Sequence, residues 1–446
     1  MNYSVINKSQ LEGALRLDAE YYQPEYLGLI KNLNNLGAVP IRNVAINPQR
    51  KFKPQKGKTF QYIEISEVDL STGEYNKAEI LGENTPDRAQ WIVKKDDVIV
   101  STVRPIRNAV SLIGEDVQNL VCSSGFAVLK SEKIEPEYLF IYLKTKPIVA
   151  LLDRLTTATM YPAITVDDIL NTKIYLGSED FRQKIKNKII ESQKELENSK
   201  FFYSKAENLL LEELGLKNFK NEEYLFSIVN LSDVKFSHRI DAEYFQPKYE
   251  KIFAQLSKQK TEALADHFQV IRSKNFDYKE EGEIGVIKTK QLGRQAINYE
   301  VEDKTTRETL EKEKLPLLHS GDVVFASMGV GSLGKINIHY DTLAPFTIDS
   351  TLRIFRSKTS GKILPEFLVV FLSSWVGQEI VYKYIVGSSG IISIYEDDIK
   401  NLKIPILSKP IQQKIADLVK KSHEARKKAK ELLEQAKQKV EKLIEK

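Results

Sequence analysis

Residues 16–24 read Arg-Leu-Asp-Ala-Glu-Tyr-Tyr-Gln-Pro, and residues 239–247 read Arg-Ile-Asp-Ala-Glu-Tyr-Phe-Gln-Pro. Seven of the nine positions are identical, and the other two exchange Leu for Ile and Tyr for Phe. The phrase recurs after 223 residues in a chain of 446, which indicates a tandem duplication of half the chain. Two copies of one binding surface on a single chain suggest a target that also has two parts.

Further matches follow in the same order along both halves. Residues 97–100 (Asp-Val-Ile-Val) correspond to 322–325 (Asp-Val-Val-Phe) at an offset of 225, and residues 167–169 (Asp-Asp-Ile) correspond to 397–399 at an offset of 230. The offset grows by only seven residues in total, so insertions between the halves are small. This period is far longer than the roughly 20–50 residues of a solenoid repeat, which favours two whole domain-plus-helix units.

A heptad-like stripe closes each half. Apolar and small residues recur every three or four positions from Phe181 to Leu210, and the same register returns from Ile411 to Val440, broken only by Arg426. Stripes of this length with charged flanks favour long helices that pack on each other, rather than two helices that each cover their own domain. The stripe alone leaves parallel and antiparallel pairing open. The residues predicted to pair the helices are Ile185, Ile189, Leu196, Tyr203, Leu210, Ile415, Val419, Leu433, Ala436 and Val440.

The remaining parts of the chain mix both kinds of element. Strand-like runs bounded by Gly, Asp or Ser occur at 60–65, 97–103, 126–129, 285–288, 322–326 and 352–355, and helical runs opened by proline occur at 136–152 and 365–384. We therefore predict an α+β fold in which an α/β domain followed by a long helix occurs twice. The predicted segments are 1–178 and 223–408 for the globular domains, and 179–222 and 409–446 for the helical spacers.

Bulk properties narrow the class of protein. Hydrophobic residues make up 42% and charged residues 28% of the chain, which is ordinary for a globular protein. Cys122 is the single cysteine, so no internal disulfide can form, and no apolar run approaches the roughly 18 residues that span a bilayer. We expect a cytoplasmic chain. The net charge of +5 permits nucleic acid as a partner without requiring it.

Motifs for catalysis are weak. Residues 329–334 match the Gly-x-Gly-x-x-Gly dinucleotide pattern, but the following residues alternate like a strand, so a tight hairpin turn is the favoured interpretation. Asp18 and Glu20, with Asp241 and Glu243 in the second copy, could serve as catalytic carboxylates, but a structural role in docking each domain is favoured. The five histidines lack metal-ligand spacing. We predict no catalytic, cofactor-binding or metal-binding residue.

Basic residues cluster near the predicted strands of both halves. Such residues suit contacts with DNA phosphates and with a few base edges, although ordinary surface lysines would look the same. Arg107, Arg294 and Lys335 are the strongest candidates for the DNA grooves. The full set of DNA-binding candidates is Arg50, Lys51, Lys53, Arg104, Arg107, Arg272, Lys274, Lys288, Lys290, Arg294 and Lys335.

The chain resembles the specificity subunits of type I restriction–modification enzymes over its whole length. The resemblance depends on the duplicated order of domain and helix, on the phrase Gly-Asp-Val-Val-Phe-Ala-Ser…Gly-Ser-Leu-Gly-Lys within 321–335, and on Pro-Ile-Gln-Gln-Lys-Ile at 410–415. The first half departs from the pattern, because Lys-Asp-Asp-Val-Ile-Val-Ser and Arg-Pro-Ile-Arg stand in place of the glycine phrases.

The resemblance implies two target-recognition domains that each read half of a split, asymmetric double-stranded DNA site. It implies an antiparallel coiled coil as the ruler between them, two bound methyltransferase subunits, and in some complexes restriction subunits. S-adenosylmethionine, ATP and Mg²⁺ would then belong to the partner subunits, and this chain would bind no cofactor. Two alternatives remain: the recognition subunit of a type II methyltransferase–nuclease, and a structural adaptor that does not bind DNA.

Overall fold

The chain divides into two compact units. Unit 1 combines Met1–Leu196 with Arg426–Lys446, and unit 2 is Glu197–Ala425. Each unit therefore contains one globular part together with half of each long helix. The computed structural model describes residues 4–9, 11, 16–157, 160–219, 226–293, 295–340, 342–387 and 390–445.

Unit 1 contains two four-stranded sheets and one short two-stranded ladder. The first sheet has the order β2-β9-β6-β7 and is antiparallel, whereas the second, β4-β3-β8-β5, contains the parallel pair β3–β8. β6 is central and entirely buried, as its Val-Ile-Val run leads one to expect. The strands are β1 (Val39–Pro40), β2 (Ala45–Ile46), β3 (Thr59–Ile63), β4 (Ala78–Leu81), β5 (Ala89–Ile92), β6 (Asp97–Ser101), β7 (Val110–Leu112), β8 (Leu120–Ser123), β9 (Phe126–Ser131) and β10 (Lys173–Ile174).

The globular part of unit 1 also contains α1 (Pro24–Asn35), α2 (Pro136–Lys144), α3 (Lys146–Arg154) and α4 (Val166–Asn171), and α5 (Glu179–Glu213) begins in this unit. The single helix predicted over 136–152 is therefore wrong, because the chain breaks at Thr145, which is extended at φ −68° and ψ 144°. Pro147 lies in the first turn of α3 and has no N–H to donate to the carbonyl of Leu143, so an unbroken helix would lose that bond.

Unit 2 repeats the sheet architecture. Its four-stranded sheet has the order β12-β18-β15-β16, and its three-stranded sheet, β14-β13-β17, again contains one parallel pair, β13–β17. The strands are β11 (Thr261–Ala263), β12 (Phe268–Arg272), β13 (Ile284–Ile287), β14 (Lys304–Thr305), β15 (Val323–Ala326), β16 (Ile336–Ile338), β17 (Phe346–Ile348), β18 (Leu352–Ser357) and β19 (Lys403–Pro405).

The helix predicted over 365–384 is also two helices, which meet at Ser374. The hydroxyl of Ser374 caps the second helix by accepting a hydrogen bond from the Gly377 N–H. A Cβ on Gly377 would lie 2.1 Å from the carbonyl oxygen of Phe371, so a larger residue at this position would force the backbone of the corner to shift. The helices of unit 2 are α6 (Leu231–Ser237), α7 (Pro247–Leu256), α8 (Leu264–His267), α9 (Arg307–Glu313), α10 (Pro365–Ser373), α11 (Trp375–Lys383), α12 (Glu396–Asn401) and the first part of α13 (Lys409–Ile444).

The tandem duplication predicted from the sequence is confirmed. The central strands β6 and β15 correspond, and each is paired with the strand that follows the turn at its end. The first helix of a helix pair, α2 or α10, packs against each of these sheets. The α+β fold class is therefore confirmed in both units. The four predicted segment boundaries stay predictions; α5 begins at Glu179 and α13 at Lys409.

The two long helices pair with each other in antiparallel orientation. In unit 1, Lys188 donates a hydrogen bond of 2.9 Å to Gln435, and the Ser192 hydroxyl donates one of 2.8 Å to the carbonyl of Ala429, so positions that rise along α5 meet positions that fall along α13. In unit 2, the Ser422 hydroxyl donates to the carbonyl of Ser199 at 2.8 Å. Mutual pairing is confirmed, and two unrelated surface helices are excluded.

All ten residues predicted to pair the helices are at most 8% exposed. In unit 1, Ile185 and Ile189 of α5 lie in one core cluster with Leu433, Ala436 and Val440 of α13. Ser192 and Ser422, which lie between these residues along the stripes, donate their hydroxyls to backbone carbonyls of the opposite helix. Within the described residues, no helix has both the length and the apolar content needed to span a membrane.

Candidate nucleic-acid interface

The repeated phrase forms a clamp at the start of the globular part of unit 1. Arg16 pairs with Asp18 at 2.6 Å and donates to the carbonyl of Leu155 at 3.2 Å. The guanidinium groups of Arg16 and Arg154 both lie over the Tyr21 ring, at 4.7 Å and 3.6 Å from its centroid. The hydrogen bond from Arg16 holds the pKa of Asp18 below its ordinary value. The Asp18 carboxylate is therefore engaged in an ion pair with Arg16.

The second copy of the phrase makes the same clamp in unit 2. Arg239 pairs with Asp241 at 2.6 Å and donates to the carbonyl of Ile385 at 2.9 Å. Lys383 takes the place of the second arginine, 3.9 Å from the centroid of the Tyr244 ring. Burial lowers the pKa of Lys383 to about 8. These contacts support the structural interpretation of the repeated phrase over the catalytic one.

Arg50 is tied to a buried carboxylate. Its guanidinium bonds Asp97, whose side chain is 2% exposed and also accepts a hydrogen bond of 2.7 Å from the Lys94 N–H. In unit 2, Asp322 takes the place of Asp97, and Arg356 binds it through two nitrogens at 2.7 and 2.9 Å. Removal of Arg50 would leave a buried charge unpaired, which gives this residue a structural role.

Arg104 and Arg107 lie together in a turn at the end of β6, which we call the arginine turn (Arg104–Asn108). Arg104 and Asn108 both adopt left-handed backbone conformations, at φ 49° and 58°. Such a conformation costs a non-glycine residue roughly 1–2 kcal/mol, and strain of this kind gathers at functional sites. The Arg104 guanidinium lies 5.8 Å from the centroid of the exposed Tyr161 ring, and Arg107 is exposed.

The other candidates of the first half are exposed lysines. Lys51 and Lys53 lie on the segment before β3, with no ion-pair partner among those seen for the described residues. Sequence reasoning missed a shallow basic cavity of about 330 Å³ nearby, which is lined in part by Lys94, Lys95 and Lys130. Lys94 and Lys95 are adjacent in the segment before β6, whereas Lys130 lies on β9, so only the fold brings Lys130 to the other two.

In unit 2 the counterpart of the arginine turn is a glycine turn, Gly329–Gly334. Gly329, Gly331 and Gly334 have φ values of 107°, 72° and 88°, and the strand β16 follows, so the helix that a dinucleotide-binding fingerprint requires is absent from this described stretch. The predicted hairpin turn is what the structure contains. Lys335, the residue after the turn, is exposed.

Three lysines of the second half carry acidic partners. The pairs are Lys274 with Glu313 at 2.8 Å, Lys288 with Asp303 at 2.8 Å, and Lys290 with Glu302 at 2.9 Å. The pairs of Lys274 and Lys290 are largely exposed, and exposed pairs are weak, so these two lysines could exchange their carboxylates for phosphates at little cost. The pair of Lys288 and Asp303 is half-buried.

Arg272 is exposed at the end of β12, opposite Arg353 on β18. Burial lowers the pKa of Arg353, and the positive charge of Arg272 acts in the same direction. The carboxylates of Glu396 and Asp349 act on Arg353 in the opposite direction, so the positive charge of the two arginines is partly compensated. Arg294 lies outside the described residues.

Residues 260–441 match the family described as the type I restriction modification DNA specificity domain. The match spans 182 of the 446 residues and lies in the second half of the chain. For these residues the resemblance stated from the sequence is confirmed, and they include the glycine turn, Arg272 and Arg353.

The chain is also similar to individual proteins. The HindI specificity subunit of Haemophilus influenzae is 25% identical over 127 residues, which cover 27% of this chain and only 28% of that relative. Among solved structures, the HsdS subunit of Thermoanaerobacter tengcongensis is 19% identical, with 90% of this chain and 95% of that chain covered and a TM-score of 0.33. The S subunit of the type I system of M. genitalium is 16% identical, with 91% and 94% covered and a TM-score of 0.37.

Sequence reasoning missed Arg353 of the specificity domain. Its Nη1 donates to the carbonyls of Ser350 and Leu352, at 2.9 and 2.7 Å, so the side chain is held at the start of β18. A charged residue inside the strand-like run 352–355 was the available signal. Among the described residues, no group of three or more His, Cys, Asp and Glu side chains could hold a metal ion.

Proposed function

We propose that this chain is a DNA-binding specificity subunit of a type I restriction–modification complex, and that it reads a bipartite, asymmetric DNA site. The single observation that carries the proposal is the contrast between its two repeats. Both keep the same order of strands in the four-stranded sheet, but they present different residues at the end of the central strand, an arginine turn after β6 and a glycine turn after β15. Like scaffolds with unlike turns suit two different half-sites.

The chemistry of the turns fits this proposal. An arginine fork can bind the O6 and N7 atoms of guanine in the major groove, and exposed lysines can bind phosphates. In the first half, Arg104 and Arg107 would read bases while Lys51 and Lys53 would hold the backbone. In the second half, Arg272 and Lys335 would take these parts. The paired helices would act as the ruler that fixes the gap between half-sites.

The proposal assigns the chemistry of modification to partner subunits. Two methyltransferase subunits would bind this chain, and a nuclease/translocase subunit would join them in a complete restriction complex. S-adenosylmethionine, ATP and Mg²⁺ would act in those subunits, while this chain would contribute recognition and no catalytic group. The modest net charge of +5 suits this division, because partner subunits would neutralise many of the phosphates.

Methylome sequencing tests the proposal directly. A bipartite methylated motif should be present in cells that carry the chain and its methyltransferase partner, and absent when this chain alone is deleted. Exchange of residues 1–178 for the same segment of another specificity subunit should change one half of the motif only. A change in both halves would contradict the two-reader proposal.

Binding experiments separate the alternatives. Binding of the complex to DNA should weaken steeply with salt, because cationic contacts to phosphates release counterions. A structural adaptor for proteins would show no such dependence on DNA. Methylation or cleavage by this purified chain alone would instead indicate an enzyme.

A further inference from the structure

Arg426 is the one charged residue on the apolar stripe of α13, and it occupies the place that Leu196 holds on α5. Although it carries a full charge, Arg426 is only 9% exposed. Its Nη2 donates to Asp69 at 2.8 Å and its Nη1 donates to Glu74 at 2.7 Å. Both acids lie in one turn between β3 and β4, which we call the acidic turn (residues 69–74). A residue near the end of the chain therefore holds a turn of the first globular part.

Asp69 serves two purposes at once. One carboxylate oxygen accepts hydrogen bonds from the N–H groups of Ser71 and Thr72, both at 2.9 Å, and so shapes the acidic turn. The other oxygen binds Arg426. Burial alone would raise the pKa of Asp69, but the charge of Arg426, with a further contribution from Lys430, holds that pKa far below its ordinary value. The shape of the turn and its attachment to α13 thus depend on the same carboxylate.

Lys144 links the acidic turn to the arginine turn. This lysine is 3% exposed, and its Nζ donates to the carbonyl of Leu70 at 2.9 Å and to the carbonyl of Asn108 at 3.4 Å. The Asn108 side chain donates back to the Lys144 carbonyl at 3.0 Å. Asn108 is the last residue of the arginine turn. A continuous set of polar contacts therefore runs from Arg426 through the acidic turn and Lys144 to the turn that presents Arg107.

The acidic turn has little freedom to adapt if this set is broken. The Ser111 hydroxyl donates to the carbonyl of Gly73 at 2.6 Å, and a Cβ on Gly73 would lie 2.7 Å from the ring of Phe140. Gly73 itself has a left-handed φ of 72°. The acidic turn is thus packed between β7, α2 and α13, and Arg426 is the residue of α13 that contacts it.

We propose that Arg426 is a positioning residue for DNA recognition: from α13 it fixes the acidic turn, and through Lys144 it sets the arginine turn that reads the first half-site. This inference rests on the proposed function and adds to it that the C-terminal helix controls one half-site selectively. The buried ion triad costs desolvation free energy, and a role in setting geometry rather than stability is a recognised reason to keep such a group.

The main test replaces the buried ion triad of Arg426, Asp69 and Glu74 with uncharged residues in the full-length chain. The triple variant Arg426→Leu, Asp69→Asn, Glu74→Gln removes the cation without leaving buried carboxylates unpaired, so the variant should fold. Arg426→Lys is the conservative variant, because an ammonium keeps the charge but not the fork that reaches two carboxylates. Lys428→Met is the matched control: Lys428 also pairs with two acids, Glu191 and Glu195, but is 53% exposed.

Hydrogen exchange of the purified chain tests the contacts from Arg426 through the acidic turn to the arginine turn without reference to DNA. The triple variant should exchange the amides of residues 69–74 and 106–108 faster by about tenfold, as expected for coupling within one hydrogen-bonded network. Arg426→Lys should give an intermediate change, and Lys428→Met none. Unchanged exchange at 106–108 in the triple variant would overturn the link between the two turns.

Methylome sequencing tests the functional part. The triple variant should relax or lose only the half of the motif that Arg107→Ala also affects, and combining the two changes should add little. Equal loss in both halves, or no loss in either, would overturn the positioning role. If the wild-type chain directs no methylated motif at all, the proposed function fails, while the exchange result still decides whether Arg426 sets the arginine turn.

Discussion

The two repeats solve the same structural problem with different residues. Each starts its central strand with a buried aspartate, Asp97 or Asp322, and each neutralises it with an arginine. In unit 1 that arginine is Arg50, from the segment before β3, whereas in unit 2 it is Arg356, from the neighbouring strand β18. The charge pair has been kept and its source has changed. What the two repeats share is thus the geometry of the scaffold.

At the other end of the same strands, the repeats keep the position of the turn but differ in the residues that form it. The chain turns at the same point in both, but unit 1 places Arg104 and Asn108 in left-handed conformations, whereas unit 2 uses glycines with positive φ. Glycine adopts this conformation without a steric cost, whereas the first repeat accepts strain and gains two guanidinium groups in one turn.

The largest expected effect tests the shared charge pair. Arg356→Met should destabilise unit 2 by about 3–5 kcal/mol, because it strands the carboxylate of Asp322, whose side chain is 3% exposed. The chain has two tryptophans, one in each unit, so the fluorescence of Trp375 in a Trp91→Phe background reports unit 2. Urea titration would give the loss.

The companion variants decide whether a stranded charge is the cause. Adding Asp322→Asn to Arg356→Met should recover much of the loss. Arg50→Met should have a comparable effect on unit 1, followed through Trp91 in a Trp375→Phe background. If Arg356→Met alone cost less than about 1 kcal/mol, the pair would count as an ordinary surface ion pair.

The corner between the two buried helices gives the next largest effect. Gly377→Ala should destabilise unit 2 by about 3 kcal/mol, near the upper end for overpacking, since the new Cβ would lie 2.1 Å from a backbone oxygen that cannot rotate away. Unit 1 reaches the same corner with Pro147 and carries Ile148 at the equivalent position.

A control glycine makes this prediction specific. Gly28 lies within α1, and a Cβ there would meet no atom within 4 Å. Gly28→Ala should therefore stabilise unit 1 by about 0.5–1 kcal/mol through helix propensity. Equal effects of the two alanines in urea titrations would show that the corner is not sterically required.

Substitutions at the arginine turn and at the glycine turn are expected to change DNA binding in two different ways. Arg107→Ala should cost about 2 kcal/mol at one base position of the first half-site and relax specificity there, as expected for loss of a bidentate base contact. Lys335→Ala should instead weaken binding to all sequences alike and reduce the salt slope by about 1, as for a phosphate contact. Titration of the assembled complex with base-substituted duplexes would separate the two. A uniform loss for Arg107→Ala would assign it to the backbone.

Most of the architecture could be predicted from the sequence because the duplication repeats each sequence pattern in both halves. The stripe positions of α5 and α13 are buried as expected, since periodicity along a helix records burial directly. The helix breaks at Thr145 and Ser374 were not predicted. Apolar residues run through both corners, so hydrophobic pattern alone cannot reveal a change of direction there.

The site was harder to predict because its parts meet only in three dimensions. Arg50 looked like a DNA contact until its partner Asp97, 47 residues away, was known. Arg426 looked like a flaw in a heptad stripe, yet its partners lie more than 350 residues earlier in the chain. A charged residue that interrupts an apolar stripe was the usable signal, but the sequence does not identify the residues that pair with it.

The smallest effect is a pH dependence confined to the clamp of unit 2. The pKa of Lys383 falls to about 8 through burial, with Arg239 acting in the same direction against Asp241 and Glu250, whereas the unfolded chain keeps the ordinary value of 10.5. Between these two values the unfolded chain binds more protons, so the stability of unit 2 should rise as pH increases from about 8 towards 10.5. Lys383→Arg reproduces the Arg154 clamp of unit 1 and stays charged, so the rise should be lost when urea midpoints are followed through Trp375. A rise of the same size in wild type and variant would assign it to other groups and remove this difference between the repeats.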